Sequence, residues 1–371
     1  MKEEMIVTPW EVRGEIDYDK LIKDFGLSLI DEKLYKKLGK YMGNNLFLRR
    51  KIFFAHRDLD FILKEFEKDN KFYLYNGRGP SGHTTIGHLI SFLFAKQLQK
   101  AFDVKYLIQL TDDEKFLFKD KLSLEDVEKF TYENALDIIA LDFDSKKTKI
   151  ISNLKYAKTM YRQALKVAKK LTYSTVRAVF GFTNDTNVGS ILFTSMQSVP
   201  AFLESAKQNK KIPCLIPHAI DQDPHFRVAR DILPKLGYYK PASIQCKFLP
   251  GLGKGGKMSA SEPDTAIFTI DGPKDIERKV MNAFTGGKDT TEEQKKLGGE
   301  PDICSVYQYF YFLFEPDDKK LKERYEKCKK GKILCGECKK DLAKRINKFL
   351  AEHQKKRKRA KKVIDKFMLE D

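Results

Sequence analysis

Long apolar stretches are missing from this 371-residue chain. No run approaches ~18 uninterrupted apolar residues, so no membrane-spanning helix is expected. Cysteine is scarce: 6 residues without regular spacing argue against a disulfide scaffold and for a reducing compartment. The opening MKEEMIVTPW lacks the basic-then-apolar layout of a secretory leader. No segment recurs at periods of about 20–50 residues, which argues against solenoids and propellers. Hydrophobic residues at 42% and aromatics at 12% rule out wholesale disorder. These features predict a soluble cytoplasmic protein of two to three domains.

Charge is abundant and unevenly placed. The formal net charge is +18, from 70 Lys and Arg against 52 Asp and Glu. Residues 319–366 hold 21 basic and 6 acidic side chains, +15, leaving 49 basic and 46 acidic, +3, for the other 323 residues. Charge gathered at one end implies a polyanion met by one region. The densest run is Lys355–Lys362, KKRKRAKK.

Apolar runs at 71–75, 104–110, 148–151, 212–220 and 242–249 read as strands. Helical periodicity from Gly87 and over 123–141, 154–171, 188–206 and 224–236 separates them. This alternation predicts an α/β fold with a doubly wound parallel sheet. After about residue 270 only helical segments follow. The expected division is a catalytic domain at 1–270, a helical domain at 271–358, and a C-terminal helix at 359–371 packing back on the first.

Three polar loops follow predicted strands, where open α/β sheets bind ligands. The first, Gly77–Arg78–Gly79–Pro80–Ser81–Gly82, leads to Thr85–Ile86–Gly87–His88 at a helix start. Glycines let the backbone approach a phosphate, and the helix N-terminus offers free N–H groups. An ordinary strand–helix turn with a buried histidine is the alternative. The second, PGLGKGGKMSAS at 250–261, nearly matches a Walker A loop, but Met258 stands where Ser or Thr would hold Mg²⁺. It reads as a Gly-rich loop delivering Lys257, Ser259 and Ser261 to an anion. The third region gathers Gln109 and Asp112–Asp113–Glu114 after one strand, and Asp221–Gln222–Asp223 after another. Helix capping by Asp112 or Asp221 is its structural alternative.

The ordered set of motifs resembles the class I aminoacyl-tRNA synthetases. TIGH at 85–88 is similar to the HIGH element, with Thr85 in its first position, and KMSAS at 257–261 is similar to KMSKS. VTPW, FLRRKIFFAHRD, FYLYNGRGPSG, IQLTDDEKFLFKD, FGFT and CLIPHAIDQDPHFRVARD are similar to segments of the tryptophanyl subfamily of eukaryotic and archaeal type. The resemblance runs over nearly the whole chain.

It implies a Rossmann-like catalytic domain and a helical anticodon-binding domain. It also implies ATP as substrate with its Mg²⁺, an enzyme-bound tryptophanyl adenylate, a homodimer, and L-tryptophan and tRNA(Trp) as partners. Lys257, Ser259, Ser261, His88 and Thr85 are then the catalytic set. Gly77, Arg78, Gly79, Pro80, Gly87, His88, Asp221, Lys257, Met258 and Ser259 seat ATP. Tyr75 and Gln109 hold the indole nitrogen, and Glu114 and Gln222 the amino and carboxylate end. Val7–Val12 around Trp10 folds over the site. Beside such a domain, Lys355, Lys356, Arg357, Lys358 and Arg359 are expected on tRNA phosphates. The alternatives are tyrosine specificity in the same fold, a non-catalytic RNA-binding paralogue, and a nucleotidyltransferase for small metabolites.

Cys335–Gly–Glu–Cys338, with Cys328 upstream, has the spacing of half a zinc site. No second pair follows, so incidental thiols on a helix turn are expected, with no tightly held metal.

Overall fold

The computed structural model describes residues 5–8, 12–14 and 16–371. Trp10 and its neighbours at 9 and 11 lie outside them. Among the described residues ten strands occur: β1 (Ile6–Val7), β2 (Val12–Arg13), β3 (Ser28–Leu29), β4 (Phe53–Arg57), β5 (Tyr73–Arg78), β6 (Tyr106–Leu110), β7 (Thr148–Ser152), β8 (Cys214–Ala219), β9 (Ala242–Cys246) and β10 (Met368–Leu369). β1 and β2 form a small antiparallel pair. The other eight make one sheet in the order β10-β7-β6-β5-β8-β9-β4-β3.

The five apolar runs become β5 to β9, and all five lie parallel. These strands are buried over most of their length, and so read as apolar runs rather than alternating ones. β5 pairs with β6 on one side and β8 on the other, so the chain reverses its direction of winding there. That switch point opens a crevice at the strands' carboxyl ends.

The sheet is largely parallel, as expected, and β4 and β3 add antiparallel beyond β9. Two expectations are corrected. The helix expected over 188–206 breaks into Val188–Met196, a 3-10 turn at Val199–Ala201 and Leu203–Gln208. Pro200 has no N–H to continue the ladder. Residues 359–371 are not a helix of their own: the Cys335–Ala360 helix ends, Ile364–Lys366 makes a 3-10 turn, and β10 pairs parallel with β7. Ile364 and Phe367 are buried and fix that turn, and Met368 falls opposite Ile150. The tail does pack back on the sheet, as its edge strand.

The main apolar core runs across residue 270 without a break, joining Leu74, Ile86 and Ile108 to Phe310, Ile346 and Ile364. Polar contacts reinforce the seam. The buried Arg50 guanidinium donates to the carbonyls of Tyr311 (2.5 Å) and Glu315 (2.6 Å), at a π-helical turn over Phe310–Phe314. Helix ends leave such carbonyls unpaired, and Arg50 supplies the donors. On the opposite side His353 Nε2 lies 3.1 Å from Asp137 Oδ1, both buried, and Arg357 pairs with Asp137 and Glu133.

Candidate active site

The crevice is lined from the carboxyl ends of four strands. Asn76, Gly77, Arg78 and Gly79 come from β5; Thr111, Glu114 and Lys115 follow β6; His218, Asp221 and Gln222 end or follow β8; Lys247 and Phe248 follow β9. Gly87, His88, Lys257 and Met258 also face it. The first two loops expected from the sequence, and part of the third, therefore meet at one place.

His88 sits at the third position of the Ile86–Phe102 helix. Its Nδ1 accepts the Thr85 N–H at 3.0 Å and lies 2.9 Å from Thr85 Oγ1, forming a capping box. With Nδ1 accepting, Nε2 carries the proton and is the nitrogen free to donate. Burial holds the imidazole well below its usual range, and the positive charges of Arg78, Lys257 and Lys115 add to this. His88 is therefore neutral at physiological pH, a hydrogen-bond donor and not a charge. Thr85 is fully buried and away from the crevice. Its place is behind His88, which it orients.

The 250–261 loop closes on itself through a bridge between Pro250 and Lys257. Gly255 and Gly256 both adopt φ of +72°, a conformation that side chains with Cβ resist. Met258 is buried, and a Cβ at Gly87 would lie 3.4 Å from Met258 Cβ. Methionine thus packs the loop onto the helix start, which explains why no Ser or Thr stands there. Lys257 Nζ reaches across to Asp221 Oδ2 at 2.6 Å and lies over the Phe248 ring. Ser259 and Ser261 bond to each other at 2.7 Å, and neither lines the crevice. Pro80 is buried beneath the first loop, also away from the lining.

Behind the crevice lies a buried polar floor. Tyr75 Oη donates to Gln109 Oε1 at 2.6 Å and accepts from Gln197 Nε2 at 3.0 Å. Gln109 Nε2 donates to Asn153 Oδ1 (2.9 Å), whose amide donates to Asp113 Oδ1 (2.7 Å). Buried networks of this kind hold each member in one orientation. Gly77 lies directly over this floor, a Cβ there falling 3.9 Å from Gln109 Oε1 and 4.0 Å from Gln197 Nε2, ordinary contact distances.

The acidic run 112–114 divides three ways. Asp112 is buried and accepts from Ser152 Oγ (2.5 Å) and the Leu154 N–H (3.2 Å), tying β6 to β7. That is the capping-type structural role. Asp113 anchors the amide chain, and burial, with Asp112 beside it, pushes its carboxyl up to about 7. Glu114 alone faces the crevice. Burial opposes its charge, but Lys115 at 2.6 Å and the Thr111 hydroxyl hold it below the usual carboxylate range. A Cβ at Gly79 would meet Lys115 Cε at 1.9 Å, so Gly79 makes room for that lysine.

Of the basic run, Lys355, Lys358 and Arg359 are exposed. Lys356 pairs with Asp142 at 2.5 Å, and Arg357 is folded against Glu133 and Asp137. The structure thus brings three of the five together with solvent and turns two toward the body.

Gln197, Asn153, His218 and Lys247 escaped the sequence reading, and Lys115 entered it only as the end of the acidic run, without a role. Asn153 carried a signal, since it follows a strand end directly. Gln197 lay inside a segment read as continuous helix, and only Pro200 hinted that the chain turned there.

A family model described as tRNA synthetases class I (W and Y) matches residues 67–351. The chain belongs to this family. Tryptophan–tRNA ligase of Pyrococcus horikoshii is 50% identical over 99% of this chain and 94% of its own length. That of Pyrobaculum calidifontis is 49% identical over 100% and 99%. Among solved structures, tryptophanyl-tRNA synthetase of Plasmodium falciparum superposes with a TM-score of 0.88 at 42% identity, covering 95% of this chain and 97% of that one. The Encephalitozoon cuniculi protein bound to tryptophan gives 0.86 at 38%, covering 95% and 98%. The class I synthetase fold, with its helical C-terminal region, is therefore the frame in which the crevice sits.

Proposed function

We propose that this chain joins L-tryptophan to its tRNA in two steps. The tryptophan carboxylate attacks the α-phosphorus of ATP and pyrophosphate leaves; a hydroxyl of the tRNA 3′-terminal adenosine then attacks the adenylate carbonyl and AMP leaves. Nucleotidyl transfer of this kind needs positioning and charge stabilisation more than covalent help. His88 Nε2–H and the backbone at Gly77–Gly79 and Gly87 are placed to hold phosphate oxygens. Lys257, released from Asp221, neutralises charge developing on the pyrophosphate. Such stabilisation lowers the barrier because it acts mainly in the transition state. Ser259 and Ser261 approach only if the loop closes inward.

The buried floor carries the specificity reading. An indole N–H needs an acceptor inside an apolar pocket, and Tyr75 with Gln109 presents fixed phenol and amide oxygens. A tyrosine pocket of this fold would normally place a carboxylate at the substrate phenol; here Asp113 stays two hydrogen bonds behind Gln109. Glu114 and Gln222 take the amino and carboxylate end. Mg²⁺ arrives with the triphosphate, because Glu114 already pairs with Lys115 and Asp221 with Lys257. When bound, it screens the phosphate charges.

Lys355, Lys358 and Arg359 meet tRNA phosphates. A homodimer is supported by apolar side chains left exposed on two adjoining helices, Tyr161 and Leu165 on one, Val188 and Leu192 on the other. Among the described residues no helix is long and apolar enough to cross a membrane, in keeping with a cytoplasmic site of action. Amino-acid-dependent ATP–pyrophosphate exchange with all 20 amino acids tests the reading. Exchange with tryptophan alone is expected. Exchange with tyrosine instead overturns the specificity, and none at all overturns the activity.

A further inference from the structure

The segment Thr265–Asp271 belongs to no helix or strand, yet it joins the two loops that face the crevice. On one side the Thr265 carbonyl accepts the Leu252 N–H at 2.7 Å, inside the 250–261 loop. On the other, the Ile267 carbonyl accepts the Ile86 N–H at 3.0 Å, satisfying one of the unpaired donors of that helix start. The Thr269 N–H and hydroxyl both donate to the Thr84 carbonyl, at 2.9 and 3.1 Å, and Phe268 forms a bridge with Thr85. Thr85 in turn orients His88 through the capping box.

Two side chains from beyond residue 270 hold this strut. Lys279, buried on the Pro273–Met281 helix, donates to the Ala266 carbonyl at 3.0 Å and pairs with Asp271 Oδ2 at 2.7 Å. Gln354, half-buried on the Cys335–Ala360 helix, donates from Nε2 to the carbonyls of Thr269 and Asp271, both at 3.0 Å. Both partners are acceptors, so only the NH₂ end of the amide can face them, and the side chain is held in one orientation. The same stretch of helix grips the turn from its far side. Asn134, fully buried, donates to the Gly82 carbonyl at 2.9 Å, and Arg357 braces its helix through Glu133 and Asp137. Residues 82–85 are thus fixed on both sides from positions 354 and 357.

A glutamine beside the basic run Lys355–Lys362 has a simpler reading, a solvated helix face, and two bonds to a buried turn argue against it. We propose that Gln354 is a positioning residue for adenylate formation: it holds the 269–271 turn, which fixes Thr84 and Thr85, which aim His88 Nε2–H at the nucleotide phosphates. This rests on the reading of His88 as a phosphate donor. Gln354 itself does not line the crevice, so it acts only through this chain of bonds. The tryptophan floor at Tyr75 and Gln109 is held by Gln197 and Asn153 instead, and is independent of it. Loss of the two donors therefore displaces the phosphate side of the crevice and spares the tryptophan side.

Gln354→Met keeps the length of the side chain and removes both donors. In the full chain it should slow tryptophan-dependent adenylate formation at saturating ATP by about 10- to 100-fold, the range expected when a reacting group is slightly misplaced. Tryptophan affinity, read by calorimetry, should stay within about twofold, with unchanged stoichiometry. Gln354→Lys brings an ammonium to the same two carbonyls and should restore the rate to within about threefold. Gln354→Glu sets a carboxylate against them and should be at least as slow as the methionine variant. Thr269→Val removes only the hydroxyl bond to Thr84 and should slow the same step by about threefold or more, which decides the matter if Gln354→Met does not fold. Rates within about twofold of the unaltered enzyme in the folded variants would overturn the proposal and leave the synthetase reading standing. Equal loss of rate and of tryptophan binding, unrepaired by lysine, would overturn it as well, since Gln354 would then serve folding alone. Failure of the synthetase reading is distinct: the unaltered protein itself would show no exchange, and the proposal would fall with it.

Discussion

The two sides of the crevice are built in opposite ways. The floor beneath β5 and β6 is buried and bonded from Gln197 through Tyr75, Gln109 and Asn153 to Asp113. The 250–261 loop facing it is anchored at Leu252 and Met258, both buried, and by the Lys257–Asp221 pair, while its tip at Lys254, Gly255 and Gly256 is exposed and turns on two glycines at positive φ. A fixed floor suits recognition, because an unmatched group there leaves buried polar atoms unpaired. A loop with an exposed glycine tip suits a step in which charge moves and pyrophosphate must leave. On the proposed reading, selection and acceleration fall to different elements.

That division can be broken experimentally. Lys257→Ala removes the charge proposed to act chiefly in the transition state and should slow adenylate formation by about 10²- to 10³-fold in single-turnover assays. Arg357→Ala strips a partner from the buried Asp137 and should lower stability by about 3 kcal/mol in denaturant titration, with tRNA affinity little changed. Gln109→Leu should weaken tryptophan binding by roughly 10- to 100-fold while leaving ATP binding intact, read by calorimetry. Replacing Lys355, Lys358 and Arg359 with alanine should weaken tRNA binding and flatten its salt dependence by roughly one in slope per lost phosphate contact.

The smallest effect concerns pH. Asp113 is raised to about 7, against about 3.9 in an unfolded chain. The folded protein then binds the extra proton between those values, so this group's contribution is present at low pH and lost as pH rises through 7. Asp113→Asn should remove that component from a plot of melting temperature against pH. An unchanged plot would show that Asp113 does not titrate as the buried floor requires.

Much of the fold was legible because β5 to β9 are buried over most of their length and flanked by breakers, so each apolar run marked a strand. β4 escaped because it follows a short helix directly, and β10 because two residues carry no periodicity. In the site, glycine loops and the lysine announced themselves through chemistry rare outside phosphate binding. Gln197 did not, since one glutamine on an apolar helix has no local signature and its meaning lies in Tyr75, 122 residues away. The roles of Thr85 and Arg357 were also illegible: both residue types fit direct ligand contact, and only burial against His88 and Asp137 assigns them to support.

Tryptophan affinity of the Lys257→Ala protein, measured by equilibrium dialysis beside its rate of adenylate formation, tests the division of labour most directly. Affinity within about twofold of the unaltered enzyme, with the rate down by about 10²-fold or more, is the predicted result. Affinity falling as far as the rate would contradict it, placing the loop lysine in ground-state binding with the floor.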